Sequence, residues 1–166
     1  MGMRIRSGIG FDAHRFAEGR RLVLGGVTVP GHAGLAGHSD ADVVCHAVMD
    51  ALLGAAAEGD IGRHFPDRDP AWKDAVSLEL LERTVAHLRA RGFEAGNVDV
   101  TVIAEQPALA PHADAMRGRL ASVLGVEPGR VSVKATTVEG MGALGRGEGI
   151  AALAVATVRE PAAHNE

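Results

Sequence analysis

The chain has no tyrosine, one tryptophan, four phenylalanines and one cysteine among its 166 residues. So few aromatics exclude a base-stacking platform, which needs exposed rings beside a basic groove. A net charge of −4 agrees, because a duplex binder needs a basic footprint, so no nucleic-acid partner is expected. The single cysteine, Cys45, excludes a disulfide within the chain and fits a reducing cytoplasmic location. No apolar run reaches the length of a membrane span, and Asp50 interrupts the best candidate. The opening MGMRIRSGIG has no apolar core of a secretory signal, and Arg6 stands where a myristoylation pattern wants Ser or Thr. A soluble protein without a membrane partner is expected.

What is there is an ordinary globular composition, 46% apolar and 23% charged, with a core to be built from Val, Leu, Ile and Ala. The length fits one domain, residues 1–159, followed by a fraying tail over 160–166. IRSGIGF reads as a strand. RRLVLGGVTVP reads as a hairpin turning at Gly25-Gly26. Ser39 is the expected N-cap of a helix over about 40–57. The stretch 58–73 has Gly, Pro and Asp throughout and reads as a long loop. A second helix is expected over 77–91, with Leu78, Leu81, Val85 and Leu88 inward and Gly92 as its stop. NVDVTVIAEQP, RVSVKATT and IAALAVATVR read as strands. A third helix follows Pro111, carries Met116, Leu120 and Leu124, and ends at Gly125. This order implies an α+β two-layer sandwich, a mixed β-sheet with helices on one face. The last strand is apolar enough that the other face should be buried in a homo-oligomer.

The chemistry-bearing residues begin with GFDAHRF. Asp12 and His14 are two apart in a strand and so share a face. The first helix is apolar nearly all round and should be buried. Yet Asp42, His46 and Asp50 recur on it at i, i+4 and i+8. Such a stripe is often a solvated rim or a satisfied Asp–His pair. Beside a strand offering Asp12 and His14, His46 completes one carboxylate and two imidazoles. Three protein ligands with an open position is a common catalytic zinc arrangement, with Asp42 and Asp50 left to orient the ligands.

Three stretches suit phosphate, each weakly. GHSD lies at a helix N-terminus, where free N–H groups attract anions and His38 and Ser39 add donors. KATTVE offers Lys134, Thr136, Thr137 and Glu139, the last suited to magnesium. GRGEG sets Arg146 among glycines, which also describes a plain hairpin connection.

GFDAHRF, GHSDADVVCHAVMDALLGAAAEGDIGRHFPDRDP, GNVDVTVIAEQPALAPH and VKATTVEGMGALGRGEGIA together resemble the 2-C-methyl-D-erythritol 2,4-cyclodiphosphate synthases. The resemblance runs in order over nearly the whole chain, with no companion cytidylyltransferase domain, as in the monofunctional form. It implies a homotrimer with sites between subunits. It implies one zinc per subunit on Asp12, His14 and His46, and one magnesium or manganese held by Glu139 at the substrate diphosphate. His38 and Thr137 would stabilise the transition state. Ser39 and Thr136 would lie against substrate, with Val138 where relatives often have Thr. Asp60, Ile61 and Gly62 would meet the ribose or erythritol part. The loop Phe65, Pro66, Asp67, Arg68 and Asp69 would close over the erythritol phosphate. Ala104, Glu105, Gln106, Pro107, Ala108, Leu109 and Ala110 would hold cytosine, Ala108 standing where relatives often have Lys. Arg146, with Phe11 and Glu148, would lie near a central channel able to hold an isoprenoid diphosphate.

The implied reaction is intramolecular. The 2-phosphate of a CDP-methylerythritol 2-phosphate attacks its own β-phosphorus, and CMP leaves. Two rivals use the same residues differently: a zinc-dependent phosphohydrolase, with water as nucleophile, and a non-catalytic nucleotide or isoprenoid-diphosphate sensor.

Overall fold

A computed structural model describes residues 4–160. The tail expected over 160–166 lies, from residue 161 onward, outside the described residues. Strand β1 (Ile5–Leu24) is one long strand and not two separate arms. Its first half pairs with β5 (Gly149–Arg159) and its second half with β2 (Val27–Leu35). The Leu22–Val29 pairing closes over Gly25 and Gly26, both at positive φ, where a side chain would be strained. Strands β3 (Glu94–Ile103) and β4 (Val131–Thr136) complete a sheet of order β2-β1-β5-β3-β4. Only β3 and β4 run parallel, so the sheet is mixed, as expected.

Helix α1 (Val43–Ala56) is buried on every side but two residues, Asp50 and Gly54, because it lies across β1 and β5. It begins three residues later than the sequence suggests. Ala41 has φ of 57°, which interrupts helical geometry, and Asp42 is the N-cap in place of Ser39. Helix α3 (Ser77–Ala90) packs beside it, and α4 (Ala113–Leu124) packs against α3 and β4. Leu81, Val85 and Leu88 are buried as expected, and Leu80 joins them, whereas Leu78 is only half-buried against the Gly26 turn. Each such leucine contributes roughly 1.5–3 kcal/mol of burial. The long 58–73 stretch contains a one-turn helix, α2 (Ile61–His64), and a 3-10 turn at Pro70–Trp72. A further short helix, α5 (Gly142–Gly145), precedes β5.

All helices of this layer lie on one face, where Ile150, Ala152, Ala154, Ala156 and Val158 of β5 are fully buried. On the opposite face Ile9 pairs with Val155 and Phe11 with Leu153. Ile9 is 66% exposed and Phe11 59%, and nothing in the described chain covers this patch.

Candidate metal centre and nucleotide cleft

The site starts from two glycines. Gly8 and Gly10 face α1, and a β-carbon on either would collide with the backbone of Ala51 or Ala47. Ala47, Ala51 and Ala55 are small and spaced by four, so helix backbone and strand backbone meet directly. That close approach carries His46, beside Ala47, down to the strand level of Asp12 and His14. The ligand atoms of these three residues all lie within 4.8 Å of one another. Asp12 Oδ2 is 3.0 Å from His14 Nε2 and 2.9 Å from His46 Nδ1.

Burial opposes ionisation of Asp12, but the neighbouring His14 and His46 rings outweigh it and hold the carboxyl well below its usual range. The bond to Asp12 raises the His14 pKa, against the effect of burial. The other nitrogen of His46, Nε2, lies 2.9 Å from Ser77 Oγ. Ser77 Oγ donates its one proton to Asp40. It can therefore only accept from His46, so Nε2 carries hydrogen and Nδ1 presents a lone pair. With Nδ1 bare, the carboxylate and the imidazole turn two lone pairs toward one point at 2.9 Å, an arrangement suited to sharing a cation. The donor set, two imidazoles and one carboxylate, fits zinc.

The triad opens on a cleft of about 230 Å³, shared with His38, Ile61, Gly62, Phe65 and Asp67. Phe65 meets Trp72 edge-on at 5.1 Å, and His38 Nε2 is 3.4 Å from the Asp69 carbonyl. Asp60 caps α2 by accepting from Arg63 N–H, and Asp69 accepts from Ala71 N–H. Pro66 and Arg68 lie in the same loop. Ser39 is buried, with its hydroxyl 3.2 Å from His46 Nε2.

Two expectations fail here. Asp42 does not orient a metal ligand. It is fully buried and accepts from the N–H groups of Gly25, Gly26, Val44 and Cys45, tying the hairpin turn to the start of α1. Burial pushes its pKa up, and these donors push the other way. The same bonds use first-turn N–H groups of α1, so this helix end offers less to an anion than GHSD suggests. Asp50 likewise accepts from Ile61 N–H and anchors α2, not a ligand.

A second cluster forms where β3 and β4 end. Thr136 O accepts from Ala104 N–H, and Thr137 Oγ1 accepts from Glu139 N–H. Glu105 accepts from the N–H groups of Val138 and Gly140, so its carboxylate shapes the turn. Glu139 sits at φ of 53°, an unusual conformation for a side-chain-bearing residue. Beside the turn is an apolar cleft of about 200 Å³ walled by Val102, Leu109, Ala110, Met116, Val133 and Ala135. Gln106, Pro107 and Ala108 lie in the irregular segment between β3 and Leu109. Lys134 is engaged with Asp99 across the sheet.

One chain does not bring the two clusters together. Asp12, Ala152, Val102 and Ala135 form one row across β1, β5, β3 and β4. Three strand spacings, roughly 14 Å, separate its ends. At the rim, Glu148 binds Arg146 at 2.8 Å and Arg15 at 3.0 Å. A larger cleft of about 670 Å³ lies at the other end of the sheet, but its Arg159 is paired with Glu94 and its Arg89 with the Leu124 carbonyl.

Sequence reasoning missed Gly8 and Gly10, although glycines in a strand signal close backbone approach. It also missed Ser77 and Asp40, for which no local signal exists.

Comparison with known proteins agrees with this geometry. The family described as the YgbB family matches residues 5–159. A 2-C-methyl-D-erythritol 2,4-cyclodiphosphate synthase from Symbiobacterium thermophilum is 60% identical over 91% of this chain and 96% of its own. A bifunctional enzyme IspD/IspF from an Anaeromyxobacter species is 62% identical over 92% of this chain, which spans 39% of that protein. A solved 2C-methyl-D-erythritol-2,4-cyclodiphosphate synthase in a CDP-bound form superposes with a TM-score of 0.84 at 35% identity, over 92% of this chain and 99% of that one.

Proposed function

This chain belongs to the YgbB family, and from that premise we propose that it performs the cyclodiphosphate synthase reaction of the non-mevalonate isoprenoid route. The substrate is 4-CDP-2-C-methyl-D-erythritol 2-phosphate. An oxygen of the 2-phosphate forms a bond to the β-phosphorus. The bond from that phosphorus to the bridging oxygen breaks, its electron pair leaves with CMP, and a cyclic diphosphate remains. This is a phosphorus–oxygen lyase step with no covalent enzyme intermediate.

The observation that carries the reading is the triad of Asp12, His14 and His46, whose ligand atoms are gathered so that they could hold a cation, opening on the cleft that holds His38. Zinc bound there supplies positive charge to a phosphate oxygen, and magnesium or manganese at Glu139 does so at the diphosphate. The chain's own work is positioning and electrostatics, which dominate phosphoryl transfer. His38 and Thr137 donate to oxygens that gain charge. Asp67 and the 65–69 loop close over the erythritol phosphate and exclude water. The apolar cleft at Leu109 and Ala135, with backbone groups of 104–110, receives cytosine. Ala108 adds no charge there, so the nucleotide phosphates depend on the metals.

The separation of the two clusters and the bare apolar face favour a homotrimer whose sites join one subunit's triad to its neighbour's Thr137 and Glu139. Phe11 on that face, and Arg146 with Glu148 at its rim, suit an isoprenoid diphosphate on the trimer axis.

The test is phosphorus NMR on the protein with substrate, zinc and magnesium. A cyclic diphosphate appearing with CMP is expected. Linear phosphate products would replace this reading with a phosphohydrolase, and unchanged substrate in metal-loaded protein with a non-catalytic sensor.

A further inference from the structure

We propose that Ser77, backed by Asp40, is the positioning residue that sets the His46 ring for metal binding. The inference rests on the reading of Asp12, His14 and His46 as metal ligands. Ser77 is the first residue of α3 and is fully buried. Its hydroxyl meets three partners: Asp40, His46 Nε2 and, at 3.3 Å, Ser39 Oγ. A carboxylate only accepts, and a hydroxyl has one proton to give. The proton goes to Asp40, whose carboxylate also accepts from the N–H groups of Ser77 at 3.2 Å and Asp42 at 3.3 Å. The Ser77 oxygen is left as an acceptor, and the only donor His46 can offer it is Nε2–H.

That fixes the tautomer of a ligand from two residues away. The ring's lone pair is confined to Nδ1, 2.9 Å from Asp12 Oδ2. The ring is also held at a defined angle, 66° to His14 with centroids 5.6 Å apart. A metal-ligating imidazole whose second nitrogen is so anchored loses less freedom on binding and offers the metal a more basic nitrogen. Ser39 is secondary: its hydroxyl stands 3.2 Å from Nε2, accepts from Ala41 N–H, and can give its own proton to Ser77 Oγ at 3.3 Å, which leaves Nε2 as the donor.

The arrangement is locked to its surroundings. Asp40 N–H donates to the Ala75 carbonyl at 3.0 Å, and Asp74 N–H to the His38 carbonyl at 2.8 Å. The segment carrying His38 and the segment entering α3 are thus laced together, with Ser77 at their junction with the ligand.

The experiment compares wild type, Ser77→Ala, Ser77→Thr, Asp40→Asn and His46→Ala by zinc affinity in chelator competition, by urea stability of the metal-free protein and by nitrogen-15 NMR of the imidazole ring. In metal-free wild type His46 should carry hydrogen on Nε2. Ser77→Ala should weaken zinc by about 10- to 100-fold and lose the fixed tautomer, and Ser77→Thr should restore both. Asp40→Asn should fold, because its amide oxygen still accepts from the Ser77 N–H, yet weaken zinc, because its NH2 then faces the Ser77 oxygen and frees the hydroxyl proton to turn to His46 Nε2. A purely structural Ser77 would lower urea stability without moving zinc affinity or the tautomer, and that result overturns the proposal. So does hydrogen on Nδ1 in wild type, which is measurable even if Ser77→Ala fails to fold. Equal zinc affinity in wild type and His46→Ala would instead overturn the metal reading beneath it.

Discussion

The carbonyl oxygen of Ala47 occupies the space that a β-carbon on Gly10 would need. Helix and strand touch backbone to backbone at this point, two residues before Asp12 and one after His46. Gly10→Ala should therefore push α1 off β1. The overpacking should cost about 1–3 kcal/mol of stability, and zinc affinity should fall at least about tenfold as His46 withdraws. Urea unfolding and chelator competition on the same samples check this. Unchanged zinc affinity would show that the metal centre does not depend on the close approach.

Asp42→Ala separates a cap from a ligand-orienting role. Four backbone N–H groups lose their acceptor, two at the hairpin turn and two at the helix start. A loss of about 2–3 kcal/mol is expected. Zinc affinity of the protein that remains folded should match wild type. A large drop in zinc affinity at unchanged stability would reverse the assignment.

His46→Ala removes one of the three ligands and the ring that Ser77 anchors. More than about a hundredfold loss of zinc affinity is expected, with turnover falling below about 1%. The far-ultraviolet dichroism and the oligomeric state should persist, since the change lies on the helix side of the sheet. Metal analysis by mass spectrometry decides whether ligand and activity go together.

Zinc binding should weaken on acidification sooner than for an ordinary histidine site. The Asp12 bond raises the His14 pKa from 6.5, so the ring keeps its proton to higher pH and zinc must displace it. As pH falls through that raised value, affinity should drop by about tenfold per pH unit for each proton displaced. The metal-free protein should show the opposite sign. The His14 contribution to its stability is fully present below the unfolded value and is lost as pH rises through the folded one. Calorimetric zinc titrations from pH 8 to pH 5.5, repeated with His14→Gln, test the assignment; an identical pH dependence in the variant would refute it.

The bare sheet face gives a prediction about assembly. Phe11→Glu places a charge among Ile9, Leu153 and Val155, and light scattering should report monomers that still bind zinc. If sites join two subunits, mixing inactive His46→Ala and Glu139→Ala chains through unfolding and refolding should restore activity in about a quarter of the sites. No restoration would place each complete site within one chain.

Where a carboxylate and an imidazole two residues apart could point was answerable from sequence. A strand has a period of two, so Asp12 and His14 had to share a face. The apolar circumference of α1 announced a buried helix, and His46 on it was conspicuous because burying an ionisable group is costly. Leu81, Val85 and Leu88 followed from helical period, and the Gly25-Gly26 turn from what only glycine tolerates without strain. These are local consequences of chain geometry and residue chemistry.

The stripe of Asp42, His46 and Asp50 shows where local reasoning stops. The three positions share a helix face in projection, but helix ends have unpaired N–H groups, and Asp42 went to those. Asp50 met the N–H of Ile61, eleven residues away, because α2 folds back there. The partners that hold His46, Ser77 and Asp40, are 31 residues ahead of it and six behind, and only the packing of α3 beside α1 makes them neighbours. By itself the sequence determined which residues had to be buried, which shared a face and which could bind a cation. The tertiary structure decided which acceptor met which donor, because a buried polar group takes the partner that packing leaves within 3 Å, whatever its distance along the chain.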